Sequence, residues 1–235
     1  MMMTKVTFSV ALVVGALAAM AGTATASDRP FLATTSAAAE EDDDNVWALQ
    51  GWFDRAGRGA SALHSVAEYS FNPTTSVQLE WSRSRVRGEA TSQDLEFEFK
   101  HLFNHIARDG WGWGINTSLV LERSESKWQR GGWAVTLPFS LKAGDDTTLH
   151  ANVGVAKPRE ARREWTSALA LEHMLARRFT LFAELAREGE STLAQAGVRH
   201  WIKKDKVSID FAMTQRRADG VQRSGWVIGL AFNDL

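Results

Sequence analysis

Apolar and polar residues alternate along most of this chain in stretches of about ten residues. In "VSIDFAM", Val207, Ile209 and Phe211 alternate with Ser208 and Asp210. Neighbouring side chains of a strand point to opposite faces, so one face of this strand is apolar and the other is polar. Repeated segments of this kind, separated by turn residues, are typical of the strands of transmembrane barrels.

Twelve such segments follow Asn45. Every second connection is a short turn, such as "NPTT" or "AGDD", and the connections between these are longer and charged. The pattern predicts an all-β fold, a closed antiparallel transmembrane β-barrel of about 12 strands. The predicted strands cover residues 46–54, 61–71, 76–86, 93–104, 111–123, 132–142, 147–156, 164–175, 178–187, 192–202, 206–216 and 224–233.

One region of the predicted barrel is rich in helix-forming residues. Residues 164–187 contain many Ala, Leu and Glu residues, which favour a helix. The leucines, however, keep a period of two, as in Leu169 and Leu171 and again in Leu181 and Leu185. We therefore predict that strands eight and nine lie here.

The N-terminal part of the chain has the features of an export signal. Residues 1–26 combine Lys5, an apolar stretch and a final A-x-A site, which predicts a cleaved signal peptide. Residues 27–45 are small, polar and finally acidic, which predicts a disordered acidic periplasmic leader. The barrel then covers residues 46–235, and the predicted location is the bacterial outer membrane.

Composition excludes several classes of protein. The chain has no cysteine, so neither a disulfide framework nor a thiolate metal site stabilises it. Its net charge of -1 argues against a basic nucleic-acid-binding protein. The six histidines do not cluster at ligand spacing, and no metal or other cofactor is implied. Ten tryptophans fit the aromatic girdles of a membrane protein, with Trp111, Trp113 and Trp201 near one end of the barrel.

Several strings carry a family resemblance. They include "EYSFNPTTSVQLEW", "QDLEFEFKHLF" and "QAGVRHWIKKDKVSIDFAM". In their order along the chain, these strings resemble the outer-membrane proteins labelled putative MetA-pathway of phenol degradation. The resemblance covers most of the chain after Asn45. It implies an outer-membrane barrel, a transporter-like role linked by name to aromatic compounds, and no catalytic residues.

The polar faces of the strands predict how the lumen is lined, if the apolar faces contact lipid. Hairpin registers place Glu68 opposite Glu80, Glu80 near Glu96, and Asp94 near Glu122. Facing carboxylates repel each other, so they need cations or water between them. The predicted acidic wall on strands two to five consists of Glu68, Glu80, Asp94, Glu96, Glu98 and Glu122.

Other inward positions carry isolated charges. Arg199 and Asp210 lie across the tenth hairpin from each other and predict a lumen ion pair, which either lines a pathway or braces a plugged barrel. Lys100, Glu172 and Glu184 are further charged lumen residues. Bulky inward residues such as Leu102 and Phe182 favour a filled lumen, whereas inward glycines favour an open one.

The connections at the outer side are rich in arginine. They predict an extracellular basic mouth formed by Arg83, Arg85, Arg87, Arg159, Arg162, Arg163, Arg216 and Arg217. Guanidinium groups bind phosphates and carboxylates in a bidentate manner. The mouth either steers anionic solutes or contacts the phosphates of lipopolysaccharide, and we favour the second interpretation. The predicted partners are thus outer-membrane lipid, lipopolysaccharide and a small solute.

These features favour a narrow channel or facilitated-diffusion transporter for small solutes, with aromatic compounds or acids suggested by the resemblance. The alternative is a closed structural or lipopolysaccharide-binding barrel without transport. A lipid-modifying enzyme needs a serine and a histidine on one face. His64 and Ser65 are adjacent in a strand and point to opposite faces, so we expect no enzyme.

Overall fold

A computed structural model describes residues 31–37, 45–57, 59–124, 127–159, 161–218 and 220–235 of the 235-residue chain. Twelve strands follow one another, and a single turn of helix, α1 (Ile106–Asp109), lies between the fourth and fifth strands. The strands are β1 (Val46–Ala56), β2 (Ala60–Asn72), β3 (Thr75–Val86), β4 (Ser92–Asn104), β5 (Trp111–Ser124), β6 (Lys127–Lys142), β7 (Thr147–Pro158), β8 (Glu164–Ala176), β9 (Phe179–Glu188), β10 (Ser191–Lys203), β11 (Val207–Ala218) and β12 (Val221–Phe232).

The strands form one closed antiparallel barrel. Each strand pairs with its neighbours in sequence, and β1 closes the sheet against β12, where Trp52 lies opposite Gly229. Closure leaves no strand edge with unpaired backbone groups, which a membrane-spanning sheet requires. The predicted fold class is therefore confirmed, including strands eight and nine in the region rich in Ala, Leu and Glu.

The alternating pattern explains why that region forms strands. In β8, Leu169 is 62% exposed on the outside while Ala168 and Ala170 are buried inside. In β9, Leu185 is exposed and Glu184 is buried. A helix would distribute these residues around its circumference, whereas a strand separates them into a lipid face and a lumen face. The separation of an apolar lipid face from a lumen face therefore outweighs the local helix preference.

The outer surface of the barrel carries a continuous belt of apolar side chains. Such a belt is what the hydrocarbon core of a membrane requires. The belt includes Leu49, Val77, Leu79, Phe97, Phe99, Leu119, Leu137, Phe139, Leu149, Val153, Leu169, Leu185, Ile209, Phe211, Met213, Ile228 and Leu230. In the described residues, the helix is too short and too polar to cross a membrane.

The tryptophans divide between the two faces. Trp111 and Trp113 are exposed on the outside near one end of the barrel, as expected for a girdle. Trp201 instead is buried in the lumen, where its ring lies beneath the guanidinium of Arg199 at 5.0 Å. The girdle prediction is thus wrong for Trp201, because this residue shares the inward face of β10 with Arg199.

The two ends of the barrel differ. One end, which we call the terminal end, carries α1 and the first and last residues of the barrel. There the Leu235 amide donates to the Trp47 carbonyl at 3.0 Å. The opposite end is the arginine-rich end. Its connections are shorter than the sequence pattern predicts, because strands such as β5 and β6 extend into the charged stretches.

The lumen is mainly polar. Polar side chains inside a barrel remain buried because they bind each other rather than lipid. The buried polar set includes Gln50, Asp54, Glu68, Ser76, Lys100, Asn116, Ser140, Thr148, His150, Asn152, Glu172, Glu184, Gln195, Arg199, Ser208, Asp210 and Thr214.

Residues 31–37, which we call the lumen segment, lie inside the barrel. Phe31, Thr34, Ser36 and Ala37 are buried there, whereas the sequence predicts a disordered leader over residues 27–45. The difference has a physical reason: small residues expose backbone donors and acceptors that a polar lumen can bind. The predicted signal peptide and the acidic run of the leader lie outside the described residues.

Candidate functional site

Glu184 binds the lumen segment. Its carboxylate is 1% exposed and accepts hydrogen bonds from the backbone amides of Leu32 at 3.0 Å and Ala33 at 2.9 Å. The Thr34 hydroxyl donates to the same carboxylate at 2.7 Å. Burial removes water from the charged carboxylate, which is unfavourable unless hydrogen-bond donors replace the water. The three donors of the lumen segment supply this compensation. Glu184, predicted only as a lumen charge, is thus the main anchor of the segment.

An apolar pocket lies beside this carboxylate. The Phe31 ring lies 6.2 Å from the Phe182 ring in a perpendicular arrangement and 5.3 Å from the His150 ring. Edge-to-face contacts of this kind are favourable beyond simple burial. Ala170, Ala212 and Val227 from β8, β11 and β12 complete the pocket.

The rest of the lumen segment crosses toward the terminal end. The Ala37 amide donates to the Ser140 hydroxyl at 2.8 Å, and Asn116 donates to the Thr35 hydroxyl at 3.3 Å. The side-chain oxygen of Asn152 accepts from the Thr35 backbone amide at 2.7 Å, and its side-chain nitrogen donates to the Thr35 carbonyl at 2.9 Å. The segment is therefore hydrogen-bonded to β5, β6, β7 and β9, which lie close together in the strand order of the barrel.

Gly112 makes room for the lumen segment. A Cβ atom at this position of β5 would collide with the Ala37 carbonyl oxygen. Inward glycines, of which Gly112 is one, were expected to favour an open lumen. In the structure, the space is filled by the backbone of the segment.

A cavity of about 700 Å³ lies between the lumen segment and the arginine-rich end. The segment forms its floor through residues 31–35, and Arg187, Arg216 and Arg217 lie on the β9–β11 side. The β3–β5 side carries four residues of the predicted acidic wall: Glu80, Glu96, Glu98 and Glu122. The cavity is thus acidic on one side and basic on the other.

The strand registers define which acidic residues face each other. Glu80 lies opposite Glu96, and Asp94 lies opposite Glu122, in the registers that the hairpins predict. The predicted pairing of Glu68 with Glu80 is wrong, because Glu68 lies opposite Gln78. A bulge between Ser70 and Asn72 shifts the register of this hairpin.

The remaining charged residues of the lumen form deeper contacts. The Lys100 ammonium lies 3.6 Å from the Glu68 carboxylate, and both side chains are buried. Arg199 donates to both carboxylate oxygens of Asp210, at 2.8 and 3.1 Å. Glu172 is buried on β8. Asp94 is nearer the arginine-rich end and accepts from the Ser82 hydroxyl at 3.4 Å.

A cluster that the sequence analysis missed lies near the arginine-rich end. His64 contacts Asp54 at 3.3 Å and Glu80 at 2.8 Å, and its ring stacks on Trp52 with centroids 4.5 Å apart. Asp54 also lies 3.6 Å from Arg216. The signal in the sequence was the alternation of Gln50, Trp52 and Asp54 with outward residues, which puts them on the lumen face.

The predicted basic mouth is not a single surface. Arg83 and Arg85 lie in β3 on the outward face, whereas Arg216 and Arg217 line the cavity. Arg87, Arg159, Arg162 and Arg163 are exposed in the connections. The Arg163 guanidinium lies over the Trp133 ring at 5.8 Å. Of the eight arginines, two therefore lie on the outward face, four lie in the connections and two line the cavity.

Comparisons with known proteins give the same fold. A family model described as "Uncharacterised conserved protein UCP029691" matches residues 12–231. No curated protein is similar enough in sequence to match this chain. Among solved structures, the KdgM porin has a TM-score of 0.60 and 12% identity, covering 79% of this chain and 98% of its own.

Two further solved structures share this architecture. A NanC porin structure has a TM-score of 0.58 and 9% identity, covering 79% of this chain and 98% of its own. The outer membrane protein Omp33 of Acinetobacter baumannii has a TM-score of 0.51 and 8% identity, covering 82% and 100%. At these identities the likeness shows the fold. Together with the apolar belt, this fold places the protein in the bacterial outer membrane.

Proposed function

The chain belongs to the family described as Uncharacterised conserved protein UCP029691, and we propose that it is a narrow outer-membrane channel for small solutes. The observation that carries the proposal is the charged cavity of about 700 Å³ inside a closed barrel with an apolar exterior. A barrel that served only as a scaffold would have no need of a wide charged space in its lumen. The size of the cavity suits small molecules rather than folded chains.

The charges of the cavity bear on which solutes pass. Carboxylates outnumber guanidinium groups in the lining of the cavity, so cationic and neutral polar solutes are favoured over acids. The carboxylates are those of Glu80, Glu96, Glu98, Glu122 and Glu188, and the guanidinium groups are those of Arg187, Arg216 and Arg217. The KdgM porin has been solved in complex with disordered oligogalacturonate. An equivalent preference for acids does not suit the acidic wall of this chain. The resemblance to phenol-degradation proteins adds aromatic compounds as candidate solutes.

The lumen segment lies in the lumen beneath the cavity, so we infer that transport requires the segment to move. It is held by hydrogen bonds to Glu184, Ser140, Asn116 and Asn152, and by the packing of its own Phe31 ring. Such contacts form and break without unfolding the barrel. We infer that the segment acts as a plug that leaves the lumen during conduction.

A closed structural barrel is the second candidate function. The observation that favours it is the buried lumen segment itself, which fills the barrel between β5 and β9. In that case Arg83 and Arg85, on the outward face of β3, would bind lipopolysaccharide phosphates as the main role of the protein. This lipid contact is equally compatible with a channel.

The arrangement of His64 and Ser65 supports a function without catalysis. His64 faces the lumen and is held by Asp54 and Glu80, whereas Ser65 is exposed on the outside. A serine nucleophile and its base need to lie within hydrogen-bonding distance. The pair therefore does not form a lipid hydrolase centre.

Ion flow through the purified protein in a planar bilayer tests the proposal. A salt gradient across the bilayer should give discrete openings, and a reversal potential of the sign that indicates cation preference. Openings with clear anion preference would contradict the role of the acidic wall. A folded barrel that stays silent, with and without its lumen segment, would favour the structural alternative.

A further inference from the structure

We propose that the pocket which holds residues 31–34 is a solute-binding site for small molecules that join an aromatic ring to an ammonium or another N–H donor. The inference rests on the proposed channel function and names the solute class for it. In this structure the pocket is filled by the chain itself. The lumen segment thus acts as an internal ligand whose chemistry reports what the pocket binds.

The acceptor half of the site is Glu184. Its buried carboxylate accepts hydrogen bonds from Leu32, Ala33 and Thr34 of the lumen segment, at 2.7 to 3.0 Å. A buried carboxylate without donors is strongly unfavourable. Any molecule that replaces the segment must therefore supply N–H or O–H donors, and an ammonium group supplies three together with a compensating charge.

The aromatic half of the site is the pocket around Phe31. Phe182 and Glu184 are two positions apart on β9, so both point into the lumen about 7 Å from each other along the strand. The small side chains of Ala170 and Ala212 form the walls of the pocket. One ring and one donor group, separated by a short linker, would therefore satisfy both halves at once.

The charge of the site discriminates between amines and acids. A ring that carried a carboxylate would place a second negative charge against the buried carboxylate of Glu184. Like charges at this distance repel strongly in such surroundings. The cavity that opens onto the segment is lined by more carboxylates than guanidinium groups, and this excess of negative charge raises the local concentration of cations.

Calorimetric titration of the refolded full chain in detergent micelles tests the site with 2-phenylethylamine as the probe. In the wild-type chain the segment competes with the probe, so we expect weak binding. Phe31→Ala removes the competing ring and should bind the amine more tightly. Phe31→Ala with Glu184→Gln should bind about tenfold more weakly than Phe31→Ala alone, because the charge-assisted contact is lost.

Two controls separate the site from general charge effects. Phe31→Ala with Glu89→Gln removes a carboxylate from the exposed connection after β3, outside the cavity, and its affinity should stay within about twofold of Phe31→Ala. Phenylacetate has the same ring with the opposite charge and should not bind. Heat-modifiable mobility on gels checks that each barrel is folded, and a chain lacking residues 31–37 serves as a second background.

The outcomes distinguish the site from the channel. Equal amine affinity after Glu184→Gln, or tight binding of phenylacetate, would overturn the proposed site. The titration needs no ion flow, so it tests the site separately from the channel. If the protein binds the amine but is silent in bilayers, the binding site is supported and the channel is refuted. If the protein conducts ions but binds no amine in either background, the channel is supported and the binding site is refuted.

Discussion

Arg199 on β10 and Asp210 on β11 form a bidentate ion pair inside the barrel, with donor–acceptor distances of 2.8 and 3.1 Å. Arg199 is 1% exposed, and Trp201 covers its guanidinium from the same strand. The pair explains why a carboxylate interrupts the apolar run "VSIDFAM". Asp210 faces the lumen, where Arg199 compensates its charge, while Ile209 and Phe211 face lipid.

Removing one partner of this pair should destabilise the barrel. Arg199→Met leaves Asp210 buried without its cation and should lower the free energy of unfolding by about 3–5 kcal/mol. Urea unfolding in detergent micelles, followed by tryptophan fluorescence, measures the change. Arg199→Met with Asp210→Leu should recover a large part of the loss. Lys204→Met, in an exposed pair with Asp205, should cost less than about 1 kcal/mol.

The ion pair also shows how far the sequence predicts this molecule. Alternation alone placed Asp210 on the lumen face, and equal offsets from the short turn placed Arg199 opposite it. The same argument failed for Glu68, because the bulge between Ser70 and Asn72 leaves no clear mark in the sequence. Irregularities also lie beside the turns of the β4–β5 and β10–β11 hairpins, where the predicted pairs are correct, so the position of a turn gives a register only to within about two residues.

The lumen segment was beyond sequence-based prediction for a different reason. Its string "FLATTSA" has no periodicity and resembles an ordinary linker. What fixes it is Glu184, which is 152 residues from Leu32 along the chain. A contact at that separation depends on the closed barrel and has no local signature. The alternation of β9 predicts that Glu184 points into the lumen, but it does not predict which residues bind the Glu184 carboxylate.

The acidic wall should determine ion selectivity. Glu80 and Glu96 face each other across β3 and β4 and line the cavity. Replacing both with Gln removes two negative charges and keeps the side-chain volume, so the reversal potential under a salt gradient should move toward zero. Glu89→Gln, in the exposed connection after β3, should leave it unchanged. An unaltered potential in the double variant would show that ions do not pass this wall.

The apolar belt should tolerate charge only near its margins. Phe211 is exposed to lipid on β11, and Phe211→Arg should destabilise the barrel by about 2–4 kcal/mol. Ile202 also faces outward, next to the connection that follows β10, and Ile202→Arg should cost about 0–1 kcal/mol. Urea unfolding in lipid vesicles compares the two. Equal losses of stability for the two variants would mean that the cost of an outward charge does not depend on its depth in the membrane.

The absence of a side chain at Gly112 should be necessary for the lumen segment to bind inside the barrel. A Cβ at Gly112 would collide with the Ala37 carbonyl, so Gly112→Ala should displace the segment and increase the open fraction in bilayers. Gly229→Ala is the matched control, since its Cβ would meet its nearest neighbours, Trp52 and Asp210, at 3.5 Å or more. An increase with both variants would indicate general loosening of the barrel rather than displacement of the segment.

If the barrel is a channel that the lumen segment closes, removal of the segment should open it. The experiment compares single-channel conductance of the wild-type protein with that of a chain lacking residues 31–37, both refolded and checked for heat-modifiable mobility. We expect rare or small openings for the wild-type protein and frequent, larger openings for the shortened chain. A shortened chain that folds normally and remains silent would show that the segment does not close a channel.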